Sequence, residues 1–422
     1  MTEKKIWIMN HYATNSFFSK GGRHYWFAEN LLKKGYKPTI FCANTRHNSE
    51  DIIEINLRKY TTKNIDDIPF VFIKVSPYQG NGFQRNINMF EFYKNLFSVA
   101  RECAKLNGKP DIILASSVHP LTLVAGIKIA KKFGVPCICE VRDLWPESLV
   151  AYGVINRKSI IAKVLYQGEK WIYKKADSII MTWEGGKDYI IDQGWAKSID
   201  LSKVNHISNG VLLDIFDKNA VENQITDSDL NNMKYKNIVY AGSIRKVNNI
   251  GMLLDAAKII QNQRIKDIRF LIYGSGDEFE PLKKRCKEEN ISNVIFKGHV
   301  EKRFIPYILK KAYINILHNS STSLDKYGQS QNKFFEYWAA GRCIVQTYTT
   351  GYSICDKFNC GISVTKQNAE EIAKVLITAC SDSIKCQVMG ENARRAANEF
   401  DFQKLTMKLI EIIESCNLKE RK

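Results

Sequence analysis

Short β-branched apolar runs alternate along this chain with longer segments of helical period. Ile6–Met9, Thr39–Ala43, Val71–Val75, Asp111–Ala115, Cys137–Val141, Ser178–Thr182 and Lys203–Ile207 have the length and continuity of strands buried on both faces. Amphipathic helices are expected between several of them: from about Arg23 to Lys34, stopped by Gly35; Leu121–Phe133, opened by Pro120; and Ser159–Lys175. This rhythm builds a parallel sheet with helices on both faces.

The rhythm breaks between Asp214 and Lys236, a polar stretch rich in Asn and Asp with no apolar period. It resumes with strands Ile238–Ala241, Ile268–Tyr273, Val294–Phe296, Ile314–Leu317 and Cys343–Gln346, separated by helices Ile250–Gln261, Glu280–Glu289 and Lys333–Ala340. Helices Ala369–Ala379, Asp382–Asn398 and Phe402–Ser415 close the chain. The expectation is an α/β protein of two Rossmann-like, doubly wound domains: residues 1–214, a linker 215–235, a second domain 236–400, and a C-terminal helix in 401–422 able to pack back on the first domain. Open parallel sheets bind ligands outside the carboxyl ends of their strands, so the expected site is a cleft where two such edges face each other.

Composition narrows the function classes. With 422 residues the chain is too long for one core, and 45% hydrophobic with 25% charged residues is a folded composition. No apolar run approaches the ~20 residues of a membrane-spanning helix, and Ile6–Met9 is too short for a signal-peptide core, so a cytoplasmic protein is expected. The eleven cysteines are scattered, without a paired Cys-x-x-Cys, and are expected as reduced thiols. The net charge of +18 calls for an anionic partner but is spread over both halves. No nucleic-acid-binding motif accompanies it, so no nucleic-acid partner is expected. Phosphorylated small molecules and an acidic membrane surface remain.

The most specific chemistry lies in Gln329-Ser330-Gln331-Asn332-Lys333-Phe334-Phe335-Glu336, where a polar loop enters a helix that Gly341 ends. A helix N-terminus offers free N–H groups and a positive dipole end to a diphosphate. Ser330, Asn332 and Lys333 stand at that mouth, and Glu336, one turn on, is placed to accept both hydroxyls of a ribose. A second concentration of chemistry lies at two strand ends: Ser117-Val118-His119-Pro120, and Glu140-Val141-Arg142-Asp143-Leu144-Trp145-Pro146-Glu147. Charges there must pair or bind something. A structural pair of Arg142 with Asp143 or Glu140 is one outcome, a catalytic floor of His119, Glu140, Arg142 and Asp143 the other.

The helix-mouth segment resembles the donor-binding element of the family-four retaining glycosyltransferases, which have the GT-B fold. Glu336 matches the second Glu of that family's Glu-x7-Glu pattern, whereas the first falls on Gly328 and the usual Pro on Gln331. The resemblance implies that Arg245 and Lys246, in Tyr240-Ala241-Gly242-Ser243-Ile244-Arg245-Lys246, grip the donor diphosphate. It implies donor contacts at Gly274, in Tyr273-Gly274-Ser275-Gly276, and at Gly21 and Gly22, in Ser19-Lys20-Gly21-Gly22-Arg23. A Gly-x-Gly loop after a strand lets backbone approach a ligand, although Gly21-Gly22 alone reads equally as a turn. The Glu-x-Arg-Asp-Leu-Trp-Pro string is similar to a subgroup of bacterial N-acetylfucosamine transferases of surface-polysaccharide assembly, and His119 falls where the wider family has a cleft histidine. Asn209-Gly210-Val211 with Asp214 matches the exit from the first domain.

The implied activity is retaining transfer of a sugar, an N-acetylated hexosamine or 6-deoxy-hexosamine, from a UDP-sugar to a lipid-diphosphate-linked saccharide in capsule or O-antigen synthesis. It needs no protein nucleophile: the acceptor hydroxyl attacks from the leaving-group side and a donor phosphate oxygen takes its proton. The alternative is a nucleotide-sugar epimerase of the same architecture, using cleft carboxylates as bases. No cofactor and no metal are expected, because the one Asp-x-Asp, Asp227-Ser228-Asp229, reads as a solvated turn in the linker. A helix at Asn88–Lys105 carries an apolar stripe of Met89, Tyr93, Leu96, Ala100 and Cys103 flanked by basic residues. It either faces a core or lies on the inner face of an anionic membrane as a peripheral contact.

Overall fold

The computed structural model describes residues 3–46, 49, 51–80, 82–117 and 119–419; Val118 of the first strand-end string lies outside the described residues. The chain forms two compact units, Met1–Ser208 with Phe402–Lys422, and Asn209–Asp401.

The first unit holds eight strands: β1 (Lys5–Met9), β2 (Lys37–Ala43), β3 (Tyr60–Ile65), β4 (Ile68–Ile73), β5 (Ile112–Ser116), β6 (Cys137–Val141), β7 (Ser178–Met181) and β8 (Val204–His206), in the order β3-β4-β2-β1-β5-β6-β7-β8. Every neighbouring pair is parallel except β3 with β4. β3 was not expected. It is an edge strand, Tyr-Thr-Thr-Lys-Asn-Ile, with no fully buried side chain, so burial never imposed an apolar run on it. Asp66 and Asp67, both at positive φ, make the two-residue turn into β4. In register, Ile6 faces Ile112 and Ile8 faces Ile40, and all four are fully buried.

Helix Phe402–Lys419 belongs to this unit. Phe402 packs its ring 4.7 Å from Trp26 and 5.3 Å from Phe27, both on helix Arg23–Lys33. Glu414 accepts from Tyr36 Oη at 2.8 Å and pairs with Lys4. Helix Phe83–Asn107 turns Phe92, Leu96, Val99, Ala100 and Cys103 inward. The buried stripe is thus rotated from the expected one, and the exposed apolar residues of its first turns are Phe83, Ile87 and Phe90.

The second unit has six strands, all paired in parallel: β9 (Lys236–Ala241), β10 (Ile268–Tyr273), β11 (Val294–Gly298), β12 (Ile314–Leu317), β13 (Cys343–Gln346) and β14 (Gly361–Ser363), in the order β11-β10-β9-β12-β13-β14. Ile250–Asn262 and Ala369–Ser381 cover one face. Asn332–Ala339 and Ser383–Ala397 cover the other.

Residues 215–235, expected as a linker, are part of this unit. Helix Leu213–Glu222 buries Leu213, Phe216 and Ala220, and Leu230 is buried further on. The unit begins at Asn209 rather than after Asp214, because the Val211 amide donates to the Phe400 carbonyl and the Leu213 amide to Asp401 Oδ2, both at 3.0 Å. The Asp-x-Asp is no solvated turn. Lys297 Nζ lies 2.6 Å from Asp227 Oδ1 and 2.7 Å from Asp229 Oδ2. Tyr273 donates to Asp227, and Arg269 to Asp229. A short helix and a set of ion pairs leave no hydrophobic period to read, which is why the stretch looked unstructured.

Among the described residues every cysteine is buried and none forms a disulfide, no helix is long and apolar enough to cross a membrane, and no three His, Cys, Asp or Glu side chains gather as a metal site.

Candidate functional site

In the second unit the chemistry gathers where β9 and β12 end side by side, with neighbours β10 and β13 running the same way. Helix Asn332–Ala339 starts here, with no side-chain cap at Gln331; the Phe334 amide donates to the Gln331 carbonyl at 3.1 Å. The mouth is held by polar side chains. The Asn209 amide donates to Ser330 Oγ at 2.7 Å, and Asn209 Nδ2 to the Ser330 carbonyl at 2.6 Å. Gln331 donates to Asn319, and Gln329 to Gln346. Ser330 is therefore a buried structural acceptor, whereas Asn332 is exposed.

Lys333 is the informative side chain. Its ammonium lies 4.9 Å from the Tyr240 ring centre, 3.3 Å from the His318 carbonyl and 3.5 Å from Tyr240 Oη. No carboxylate pairs with it among the described residues. Crowding by the protein lowers its pKa to about 8. A half-buried cation with only neutral neighbours is poised for an anion. His318 joins the next loop to it. Its Nε2 meets the Asn249 carbonyl at 2.9 Å and its Nδ1 the Thr347 hydroxyl at 2.6 Å. Burial lowers its pKa to about 4, so it stays neutral. This fixes the Arg245–Asn249 loop beside the Lys333 site. Arg245 and Lys246 are exposed, with no side-chain partner among the described residues. Glu336, half-buried one turn into the helix, has Lys302 Nζ at 3.5 Å.

Gly274 has a different role from the expected one. Its amide donates to the Gly298 carbonyl at 2.8 Å. At φ 146°, a Cβ there would sit 1.8 Å from the Gly242 carbonyl oxygen. The backbone that approaches it is the Gly242–Ile244 loop, so Gly274 shapes the site without offering its amide to a ligand.

In the first unit the strand ends of β1, β5 and β6 are adjacent. Glu140 is fully buried and accepts from Arg23 Nε at 2.8 Å, Ser116 Oγ at 2.6 Å and His24 Nε2 at 2.9 Å. Burial pushes its carboxyl pKa up, but Arg23 and His24 outweigh it and hold the pKa well below the carboxylate range. Arg23 also donates to the carbonyls of Ile207 and Ser208. Glu140 is thus a saturated counter-ion and no free base, which corrects its expected catalytic place. Gly21 and Gly22 form the turn that starts helix Arg23–Lys33 and so aims Arg23 and His24 inward. Neither Arg23 nor His24 was singled out from the sequence. An Arg-His pair on the apolar side of a helix was the available signal.

Arg142 pairs with neither Glu140 nor Asp143. Its amide donates to Ser117 Oγ at 3.0 Å and its carbonyl accepts from Trp183 Nε1 at 3.0 Å, which fixes the backbone. Its Nε is buried without a partner among the described residues. Asp143 is open to water on one side and crowded by protein elsewhere; that crowding raises its pKa against the pull of Arg142. His119 is 1% exposed, with Nε2 2.7 Å from His11 Nδ1 and its own Nδ1 unpartnered among the described residues. Burial, then Arg85, lowers its pKa to about 3, so it is neutral at pH 7. His119 and Asp143 both line a recess of about 240 Å³ walled by apolar side chains.

Comparison with known proteins agrees with the fold. Residues 25–214 match the model "Glycosyltransferase Family 4" and residues 221–396 the model "Glycosyl transferases group 1". A probable glycosyltransferase of Pseudomonas aeruginosa, WbjE, is 23% identical over 225 residues, 50% of this chain and 52% of that protein. The match thus spans about half the length of that curated relative. Sucrose-phosphate synthase of Thermosynechococcus elongatus has a similar structure (TM-score 0.71, 15% identity, 99% of this chain and 100% of that one). So does HepE of Anabaena, solved in complex with UDP-glucose (TM-score 0.64, 14% identity, 97% and 99%). With a family-four domain in its first half and a group 1 domain in its second, the chain belongs to the two-domain glycosyltransferases of the GT-B fold.

Proposed function

We propose that the chain is a retaining glycosyltransferase that moves a sugar from a UDP-sugar to a lipid-diphosphate-linked saccharide in surface-polysaccharide synthesis, working without a metal or cofactor at the inner face of the cytoplasmic membrane. The observation that carries this reading is Lys333: a half-buried ammonium with no anionic partner among the described residues, at the mouth of a helix. Arg245 and Lys246 stand on the adjoining loop, tied in through His318 and Asn249. Such cations stabilise the charge that develops on a departing nucleoside diphosphate, and Lys333, already held in place by its neighbours, needs little reorganisation to do so. Glu336 suits the ribose hydroxyls. HepE, of the same fold, was solved with UDP-glucose, which supports a uridine donor here. The likeness of the Glu140–Pro146 string to N-acetylfucosamine transferases supports an amino-sugar. On the acceptor side, Arg142 offers a guanidinium fork suited to phosphate, and Asp143 an acceptor for a sugar hydroxyl.

An epimerase would require a carboxylate free to abstract a sugar proton. Glu140 is committed to Arg23 and His24, so the carboxylate left for that role is Asp143, which lines the recess. The deciding experiment incubates the protein with a panel of nucleotide sugars in excess EDTA and identifies products by mass spectrometry. A transferase slowly releases nucleoside diphosphate from one donor and faster with acceptor. A changed sugar with little released nucleotide would establish the epimerase instead, and activity only after magnesium or manganese is restored would end the metal-free reading.

A further inference from the structure

The recess in the first unit lies between helices Pro120–Phe133 and Ile160–Lys175. Leu121, Val124, Trp145, Leu165 and Trp171 form its walls, and Asp143 and His119 also line it. At about 240 Å³ it is smaller than the ~300–1,000 Å³ pockets that enclose whole drug-sized ligands, so it suits a segment of a larger molecule. Gly168 lines it from within helix Ile160–Lys175. A Cβ at Gly168 would meet no atom within 4 Å. Helices tolerate only proline less well than glycine, and here no neighbouring atom of the chain demands one. Gly168 is exposed at the rim, so the missing side chain leaves the entrance over the apolar wall open. The mouth of that wall faces water: Val164 is 64% and Trp171 37% exposed, and one turn earlier Ile160 is 80% and Ile161 66% exposed. Lys158 and Lys163 accompany this stretch, while Arg157 is paired with Glu147 and the buried Glu169 lines the recess. Apolar side chains bordered by cations match a hydrocarbon that ends in an anion.

We propose that this recess binds the hydrocarbon adjoining the phosphate of a lipid-linked acceptor, with Gly168 as the residue that keeps it open and Arg142, between the lining residues Val141 and Asp143, as the phosphate's partner. The inference rests on the lipid-acceptor reading above. The test measures binding of inorganic phosphate and of dimethylallyl, geranyl and farnesyl phosphate, below micelle-forming concentrations, by calorimetry and by the fluorescence of Trp145 and Trp171. Affinity should rise by about fourfold per carbon buried and level off once the recess is full. Gly168→Leu should fill the space, raise the farnesyl phosphate Kd by about tenfold or more, and melt no earlier than the wild type. Equal affinities along the series, or unchanged binding by Gly168→Leu, would overturn the proposal. Donor turnover by the wild-type protein is scored separately. Turnover without chain-length dependence removes the recess alone; binding without any turnover or epimerisation removes the transferase reading.

Discussion

Lys333→Met should make the ligand-free protein more stable and the nucleotide complex weaker, because one charge has opposite effects on the two. In the free protein the ammonium is crowded into the site with carbonyl, phenol and ring neighbours only, and its pKa falls from 10.5 to about 8. That depression means the folded state disfavours the charged form. At pH 7 it costs on the order of 1–3 kcal/mol, which a methionine of similar length recovers. The unfavourable term is full below pH 8 and fades as the pH rises towards 10.5, so wild-type stability should gain on the variant across that window. In the complex the same ammonium faces a diphosphate, and removing one charge-assisted contact should cost about 1.5–3 kcal/mol, or roughly 10–150-fold in Kd for UDP. Wild-type affinity for UDP should also fall above pH 8, by up to about tenfold per pH unit, as the free protein loses the proton that the complex needs. Calorimetric UDP titrations from pH 6.5 to 9.5 and thermal melts of both proteins test all three statements. A variant with lower Tm and unchanged UDP affinity would refute the assignment, as would pH-independent binding by the wild type.

Glu336→Ala should weaken UDP binding by about 1.5–3 kcal/mol without lowering Tm, and an unchanged calorimetric Kd removes it from the ribose site. Glu140→Gln leaves Arg23 buried without its counter-charge and should lower unfolding stability by about 3–5 kcal/mol in denaturant titrations. A loss well under 1 kcal/mol would contradict the pairing. Arg142→Lys keeps the charge but not the fork, and should cut turnover about tenfold or more with Tm unchanged; loss of Tm at normal turnover would make the residue structural. His119 and His318 have folded pKa values depressed to about 3 and about 4, so their contributions are full above pH 6.5 and are lost as the pH falls. Each should steepen the decline of stability below pH 6.5 by about 1.4 kcal/mol per pH unit, and His119→Gln should remove its share of that slope.

Most buried elements were legible because their signal is local. β1, β5, β6, β9, β10, β12 and β13 are apolar runs of four to six residues that must fit between two helical layers, and that demand is written on every residue of the run. The missed pieces escape it. The exposed edge β3 carries Thr, Lys and Asn, and the 213–222 helix is short and amphipathic in a polar context. The helix mouth at Ser330–Lys333 could be read because its chemistry is consecutive: a polar loop, a lysine and a glutamate at helical spacing.

What each of these groups does was decided elsewhere in the chain. Glu140 looked like a cleft carboxylate until folding brought Arg23 and His24, 117 and 116 residues away, onto its two oxygens. Asp227 and Asp229 looked solvated until Lys297 arrived. Gly274 serves the Gly242 carbonyl of another loop, while Gly168 serves a space that the chain leaves unfilled. The sequence by itself determined two α/β domains with largely parallel sheets and the polar loop that enters helix Asn332–Ala339, since period and capping act over neighbouring residues. Only the tertiary structure decided which charges are spent on each other and which are left for a ligand. Pairing acts over a few ångströms of space, and strand order, which no local pattern encodes, determines who comes that close.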